Sequence, residues 1–301
     1  MKYETAATAT IENSPEESVR TVLTESLKSV HRWLKRVAGK WTEDDETVHQ
    51  LRVSGRRALS ALKLFEAMVP TAEVCWFRKR LKAILKAAGR ARDLDVLIKT
   101  QLPRCGKARK ILEKRWRAER AAAQKPLVAL HRKLEQTDQF RKHVRSLVRN
   151  LKAAAPAAEH DAQSICDERI LPQLALLCNS VVQSLEIEAD EESLHELRIA
   201  VKRLRYAAEL LLPVLPSQQL HDVAQALPEL QKQLGAMQDH VVAAQELQRS
   251  IKRLRKQSHQ EIIQDLVEVE TRSLADSVAT NREWLNSDAC RELKQRIESI
   301  V

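Results

Sequence analysis

Apolar residues recur at helical spacing along nearly the whole chain, and the clearest example runs from residue 194 to residue 211. This stretch, LHELRIAVKRLRYAAELL, contains neither Gly nor Pro and consists mainly of residues with high helix propensity. One side of its helical wheel is apolar and is formed by Leu197, Val201, Leu204, Ala208 and Leu211. The pattern predicts an amphipathic helix whose apolar side packs into a core.

The polar side of this predicted helix carries a histidine and three cations. Arg198, Lys202 and Arg205 follow His195 at intervals of 3, 7 and 10 residues. At about 100° per residue, the four lie within roughly 80° of one another, and Arg203 lies on the flank of the stripe. A single stripe of this kind is usually a solvated helix face.

An equivalent stripe occurs in the first half, in the sequence VHQLRVSGRRALSALKLF from residue 48 to residue 65. Its members are His49, Arg52, Arg56, Lys63 and, on the flank, Arg57. Leu59 stands where the second stripe has Arg205, so the first stripe has one cation fewer at that position.

A constant offset of 146 residues relates the two halves. The pairs at this offset are His49 and His195, Gly89 and Gly235, and Asp93 and Asp239. Two motifs at one offset indicate an internal duplication. The glycines are candidates for close helix approach, and the aspartates either pair with arginines of the stripes or form ordinary inter-helix salt bridges.

Helix start and stop signals divide each half into helices. Ser14 followed by Pro15 predicts the first helix start, and Asp190 and Ser217 predict two starts in the second half. A fourth helical region reaches about Ala154, with a break expected near Pro126 or Thr137. Pro156, in an Ala-rich segment, marks the expected boundary between the halves.

Four motifs together resemble the CHAD domain family, an α-helical domain named for its histidines. They are HxxRxxxRR at His49, HELRxxxKRLRY at His195, and the stretches ARDLDV and LGAMQDHV. The resemblance covers about residues 14–300. It implies an all-α fold of two four-helix bundles related by a pseudo-twofold, which enclose a central basic pore that binds inorganic polyphosphate.

This resemblance fixes the expected domain organisation. We expect a flexible tail at residues 1–13, a first bundle at 14–155 and a second bundle at 156–301, together forming one CHAD domain. The sequence contains no ExExK motif, so the domain is expected to stand alone without a CYTH triphosphatase domain.

Composition supports a polyanionic partner. The chain has 51 Lys and Arg against 41 Asp and Glu, a formal net charge of +10, and its few Gly and aromatic residues favour long helices. Its five cysteines are widely spaced without a CxxC motif, so no metal site and no cofactor are expected. No apolar stretch reaches about 18 residues, so no membrane span is expected. A cytoplasmic protein at polyphosphate granules is the predicted setting.

The candidate polyphosphate-binding residues combine both stripes with a few neighbouring cations. They are His49, Arg52, Arg56, Arg57, Lys63, Lys86, Arg90, His195, Arg198, Lys202, Arg203, Arg205 and Lys232. Arg suits phosphate because its planar fork donates two hydrogen bonds, whereas Lys supplies a compact charge. Neighbouring cations favour the neutral form of a histidine, and a bound phosphate favours the imidazolium, so both histidines are candidate pH-dependent contacts.

Three other functions fit parts of the sequence. A phosphate-processing enzyme is not expected, because the carboxylate runs lie at predicted helix starts and no P-loop is present. A non-specific nucleic-acid binder fits the charge, although the aromatic residues are not interleaved with the basic stripes. A module that binds other granule proteins is the third alternative.

Overall fold

A computed structural model of the chain describes residues 14–39, 45–153, 166–187 and 190–300. Over these ranges the secondary structure is helical, without a strand, which confirms the predicted all-α fold class. The expected tail at 1–13 and the expected boundary at Pro156 lie outside the described residues.

Within the described ranges, each half contains five α-helices. The first half forms α1 (Pro15–Ala38), α2 (Asp45–Leu64), α3 (Thr71–Thr100), α4 (Arg109–Gln136) and α5 (Gln139–Ala153). After a π-helical turn at Cys166–Ile170, the second half forms α6 (Leu171–Leu185), α7 (Glu191–Leu211), α8 (Gln218–Ile251), α9 (Gln257–Leu285) and α10 (Asp288–Glu298).

Side-chain caps begin the helices where the sequence predicts them. Ser14 Oγ accepts a hydrogen bond from the Glu17 amide at 3.3 Å, and Asp190 Oδ1 accepts from the Ser193 amide at 2.7 Å. Ser217 caps α8 in the same way. Each cap satisfies one of the amides that a helix start leaves without a partner.

The fourth helical region of the first half breaks at only one of the two expected places. Pro126 lies inside α4, and Pro228 lies inside α8. Both prolines are exposed, so water can replace the backbone hydrogen bond that proline removes. The break falls between α4 and α5, where Asp138 takes a positive φ of 46°.

The same order of helix packing occurs in both halves. In the first half α1 packs on α2, α2 on α3 and α3 on α4, and in the second half α6 packs on α7, α7 on α8 and α8 on α9. The halves meet where α2 packs against α7 and α3 against α8. The helices that carry the two stripes are therefore neighbours.

Two apolar clusters hold these helices together. The main core contains side chains from both halves. The second cluster lies between the α3–α4 link and the α8–α9 link and contains Leu94, Leu97, Leu102, Cys105, Ala108, Leu112, Trp116, Leu247, Leu254, Ile263, Leu266 and Val267. Burial of apolar surface from both halves favours their association.

Close helix approach occurs at Gly55, whose counterpart at the 146-residue offset is Val201 rather than a glycine. A Cβ at Gly55 in α2 would lie 3.0 Å from Leu85 Cδ2 in α3. A Cβ at Gly89 would meet Arg52 at an ordinary 3.6 Å, and one at Gly235 would have no atom within 4 Å. The expected role of Gly235 in close approach is therefore wrong.

No helix in the described ranges is long and apolar enough to cross a membrane.

Candidate functional site

The two stripes face each other across the contact between α2 and α7. Burial and the neighbouring Arg56 of α2 lower the pKa of Arg198 in α7. Burial followed by Arg56 also lowers the pKa of Arg52. We call the meeting point the central basic cluster, formed by His49, Arg52, Arg56, Arg92, His195, Arg198 and Lys202, with Asp93 and Asp239 among them.

Lys202 experiences this concentration of charge most strongly. Burial, then the guanidinium groups of Arg56 and Arg198, lowers its pKa to about 7 from the ordinary 10.5. Like charges close together disfavour the charged form of an amine, and burial removes the water that would stabilise it. The cluster therefore holds excess positive charge that the folded chain does not neutralise.

The two duplicated aspartates lie among these cations. Burial raises the pKa of Asp93, opposed by Arg52 and Arg90. Burial likewise raises the pKa of Asp239, opposed by Arg198 of its own half and Arg92 of the other. The Asp239 side chain is nonetheless exposed to solvent.

Hydrogen bonds orient the histidine and first arginine of the second stripe. His195 Nδ1 lies 2.7 Å from Gln238 Oε1, and Arg198 Nη2 donates to the same oxygen at 3.5 Å. The Arg198 Nε is buried and has no hydrogen-bond partner in the described part of the chain. A buried donor without a partner is costly, and a ligand oxygen would satisfy it.

The first stripe is held by different contacts. Arg52 Nη1 donates to the Leu85 carbonyl at 3.3 Å, and Arg92 Nη1 donates to the Asp45 carbonyl at the same distance. Burial, followed by repulsion from Arg92, lowers the pKa of His49. The neutral imidazole is thus favoured at His49.

A cleft of about 580 Å³ lies at the opposite ends of the stripes. Residues of both halves line it, including Lys63 and Arg203 from the predicted set. Arg78 and Lys82 of α3 add two cations to the same wall. Because Lys63 follows His49 by 14 residues, the stripe is about 21 Å long at 1.5 Å per residue.

Five predicted residues lie outside the cluster and the cleft lining. Four of them form ion pairs with acidic side chains. Arg90 contacts Glu119 at 2.8 Å and Glu246 at 2.6 Å, and these carboxylates raise its pKa despite burial. Arg205 pairs with Glu209 at 2.7 Å and donates to Gln231 at 2.7 Å. The remaining three are exposed: Arg57 lies 3.7 Å from Glu209, Lys232 lies 3.7 Å from Glu229, and Lys86 is on the surface of α3.

Sequence reasoning missed Arg92, which belongs to the cluster. The signal was available, because the 146-residue offset matches Arg92 with Gln238, the residue that orients His195. Arg78 and Lys82 have no basic counterparts in the second half. The 146-residue offset therefore does not predict that they line the cleft.

This arrangement suits a flexible anion with many charges. The four arginines of the cluster supply planar forks of the kind that suit pairs of phosphate oxygens. Lys202 and His49, whose charged forms are disfavoured by neighbouring cations, are groups whose charged forms a nearby anion would favour.

Comparisons with known proteins agree with this architecture. The CHAD domain family model matches residues 21–248. The crystal structure of the CHAD domain from the plant Ricinus communis is 25% identical, with a TM-score of 0.65 over 98% of this chain and 95% of that chain.

A second solved structure shares the fold at lower identity. PptA from Streptomyces chartreusis is 14% identical, with a TM-score of 0.60 over 91% of this chain and 99% of that one. A search of curated proteins gives no match. The family match, which covers well over half of the sequence, shows that the chain belongs to the CHAD domain family, which is associated in general with polyphosphate binding.

Proposed function

We propose that this protein binds inorganic polyphosphate along its two stripes, from the central basic cluster to the cleft, and does not hydrolyse it. The two related halves would form the walls of one basic pore. Binding of this kind fits a cytoplasmic protein that associates with polyphosphate granules.

The observation that carries the proposal is the meeting of arginines from both halves around the half-buried Lys202. Its pKa of about 7 results from burial next to arginines of both halves. Such crowding destabilises the free protein, and a bound polyanion would reverse the repulsion. An uncompensated cation cluster built from two distant chain segments favours a ligand-binding role over a solvated helix face.

The composition of the site favours polyphosphate over single-stranded nucleic acid. A polyphosphate chain offers charged oxygens and no bases, so it gains nothing from aromatic stacking. Trp76, Phe77 and Phe140 pack with one another between α3 and α5, away from the stripes. Tyr206, which interacts with Arg52, is buried.

The two acids of the cluster support binding without turnover. Metal-assisted phosphate chemistry uses carboxylates as magnesium ligands. Asp93 and Asp239 are each surrounded by arginine charge, which competes with a metal ion for their oxygens.

Calorimetry with long-chain polyphosphate at fixed salt tests the proposal. The double variant His195→Ala with Arg198→Ala should lose at least about tenfold in affinity, because it removes a charged fork and an imidazole hydrogen-bonding group. The matched control is Lys86→Ala with Lys232→Ala, an equivalent pair outside the cluster, and it should lose less.

Unchanged affinity in the first variant, with helicity preserved in both, would contradict the assignment of the site. Competition settles the ligand class: duplex DNA that displaces polyphosphate at equal phosphate concentration would favour a nucleic-acid binder instead. Magnesium-dependent phosphate release by the pure protein would contradict the absence of turnover.

A further inference from the structure

Most of the excess charge of this chain lies outside the stripes, in two segments. One spans the α3–α4 link and the start of α4, and the other spans the end of α8 and the α8–α9 link. Residues 104–117 and 249–256 together contain twelve Lys and Arg and a single acid, Glu113. Their net charge of +11 compares with +10 for the whole chain, so the other 279 residues are nearly neutral together.

The fold brings these two segments into contact. Trp116 Nε1 donates to Ser250 Oγ at 3.2 Å, and Arg253 Nη1 lies 3.0 Å from Glu119 Oε1. Beneath them, side chains from both segments are buried in the second apolar cluster. The cations therefore form one surface on a rigid support.

Seven of the twelve cations are exposed and have no ion pair within the described ranges. They form what we call the outer basic face: Lys107, Arg109, Lys110, Lys114, Lys252, Arg255 and Lys256. The other five have acidic partners, for example Arg117 with Glu113 and Arg115 with Glu119, both at 3.1 Å. Glu261 and Asp265 of α9 are the nearest exposed acids along the chain.

The outer basic face opposes local stability. Arg109 and Lys110 occupy the first turn of α4, where the helix dipole favours acids. The first turns of α1, α2, α3, α7 and α10 carry acids, whereas those of α5, α6, α8 and α9, like that of α4, carry none. Cations at a helix start that lower its stability, and that have no acidic partner within the described ranges, indicate a function.

This face adjoins the central basic cluster. Along α3, Asp93 and Thr100 are about 10 Å apart, and along α8, Asp239 and Ile251 are about 18 Å apart. Glu270 joins the two regions, because it pairs with Arg104, which begins the segment 104–117, and lies 2.7 Å from Nδ1 of His240, which follows Asp239.

We infer that the outer basic face is a second binding surface for polyphosphate, occupied by the part of a long chain that extends beyond the central basic cluster. The inference rests on the proposed function. A chain that binds at both places gains affinity because the second contact is intramolecular. The protein would then prefer long polyphosphate, whereas a short chain would occupy the cluster alone.

The test compares tripolyphosphate with long-chain polyphosphate for two charge-matched triple variants. The face variant is Lys107→Gln, Lys110→Gln and Lys252→Gln. The control is Lys125→Gln, Lys133→Gln and Lys142→Gln, three exposed lysines of α4 and α5. Both lower the net charge by three.

The face variant should bind long chains at least about tenfold more weakly, because each lost phosphate contact lowers the affinity and its salt dependence. Its affinity for tripolyphosphate should match that of the wild type, and the control should retain long-chain affinity. Equal losses in both triple variants, or no loss in the face variant, would overturn the inference and leave the proposed function intact.

Two further outcomes separate this inference from the proposed function. If the His195→Ala, Arg198→Ala variant retains tripolyphosphate binding, the central cluster is not the site and both ideas fail. If duplex DNA binds the wild type but not the face variant, and long polyphosphate does not distinguish them, the face belongs to nucleic acid and the inference is overturned.

Discussion

Lys202 occupies the position at which the first stripe has Arg56, and this difference gives the site its expected pH dependence. The guanidinium of Arg56 stays protonated at any physiological pH. The pKa of Lys202 is lowered to about 7, so this side chain is largely neutral in the free protein at pH 8 to 9. The two equivalent positions therefore differ in chemistry although both are basic.

We predict that polyphosphate affinity falls as the pH rises from 7 towards 10. Bound phosphate favours the ammonium of Lys202 and raises its pKa, so binding takes up a proton throughout this range. The loss should approach about tenfold per pH unit for one linked proton. Calorimetry in buffers of different ionisation enthalpy measures the proton uptake directly.

The matched variant is Lys202→Arg, which copies the first stripe. It should bind with nearly constant affinity between pH 7.5 and 9.5, because arginine does not titrate there. A variant that keeps the wild-type slope would show that another group titrates and that Lys202 does not.

At the scale of the residue, the sequence shows which positions are basic but not which of them are paired with acidic side chains in the fold. His49, Arg52, Arg56, His195, Arg198 and Lys202 were all chosen from spacing, and the structure brings them together. Arg205 satisfied the same criterion of spacing, whereas Arg90 was a candidate as a neighbouring cation without a basic counterpart in the second half. Their acidic contacts are partly set by tertiary packing: Glu119 and Glu246 come from other helices, and helical periodicity says nothing about a neighbouring helix.

At the scale of the helices, α2 and α3 are fitted together through Gly55. Leu85 of α3 approaches this glycine, and the carbonyl of Leu85 also accepts a hydrogen bond from Arg52. The packing of α2 against α3 therefore helps to position Arg52 of the central basic cluster.

Two glycine substitutions should separate packing from helix propensity. Gly235→Ala meets open space, so it should raise the free energy of unfolding by about 0.5–1 kcal/mol through helix propensity alone. Gly55→Ala has the same gain but must displace Leu85, so the substituted protein should be less stable than the Gly235→Ala protein.

Urea unfolding of the two variants and the wild type gives the comparison. Equal stabilisation by both substitutions would mean that Leu85 moves aside without cost, and the close approach would then have no energetic role.

Helix boundaries were predictable where a capping side chain marks them. Ser14, Asp190 and Ser217 each cap the helix that the sequence assigns to them. Pro126 and Pro228 gave no such guidance, because an exposed proline can continue a helix that tertiary packing holds together. Local signals therefore predict starts better than interruptions.

At the scale of the whole molecule, both halves contribute to each apolar cluster, so they should unfold together. Trp116 is 2% exposed and lies in the second cluster. Trp116→Ala should lower the free energy of unfolding by about 3–5 kcal/mol, as expected for a large buried aromatic side chain.

Unfolding followed by tryptophan fluorescence and by helicity should give coincident transitions in the wild type. The control Ser250→Ala leaves Trp116 in place, removes the hydrogen bonds of Ser250 Oγ with Trp116 Nε1 and the Glu246 carbonyl, and should cost about 1 kcal/mol. Separate transitions for the two probes in the wild type would show that the halves are independent units.

The outer basic face could not be recognised as one surface from the sequence alone, although its residues were in view. Residues 104–117 and 249–256 are separated by more than 130 positions. Lys107, Arg109 and Lys110 match Arg253, Arg255 and Lys256 at the 146-residue offset, but this correspondence along the chain does not show that the two segments touch. Only the contact between the two links makes their charges a single surface.

The packing of α2 on α7 and α3 on α8 also bears on how such a molecule can be assembled. Noncovalent burial holds the halves together, and each half supplies one stripe. A chain cleaved between the two halves should therefore persist as a two-piece complex that keeps both stripes together. Two copies of a half-length ancestor could have used the same interface as a homodimer before a gene fusion joined them.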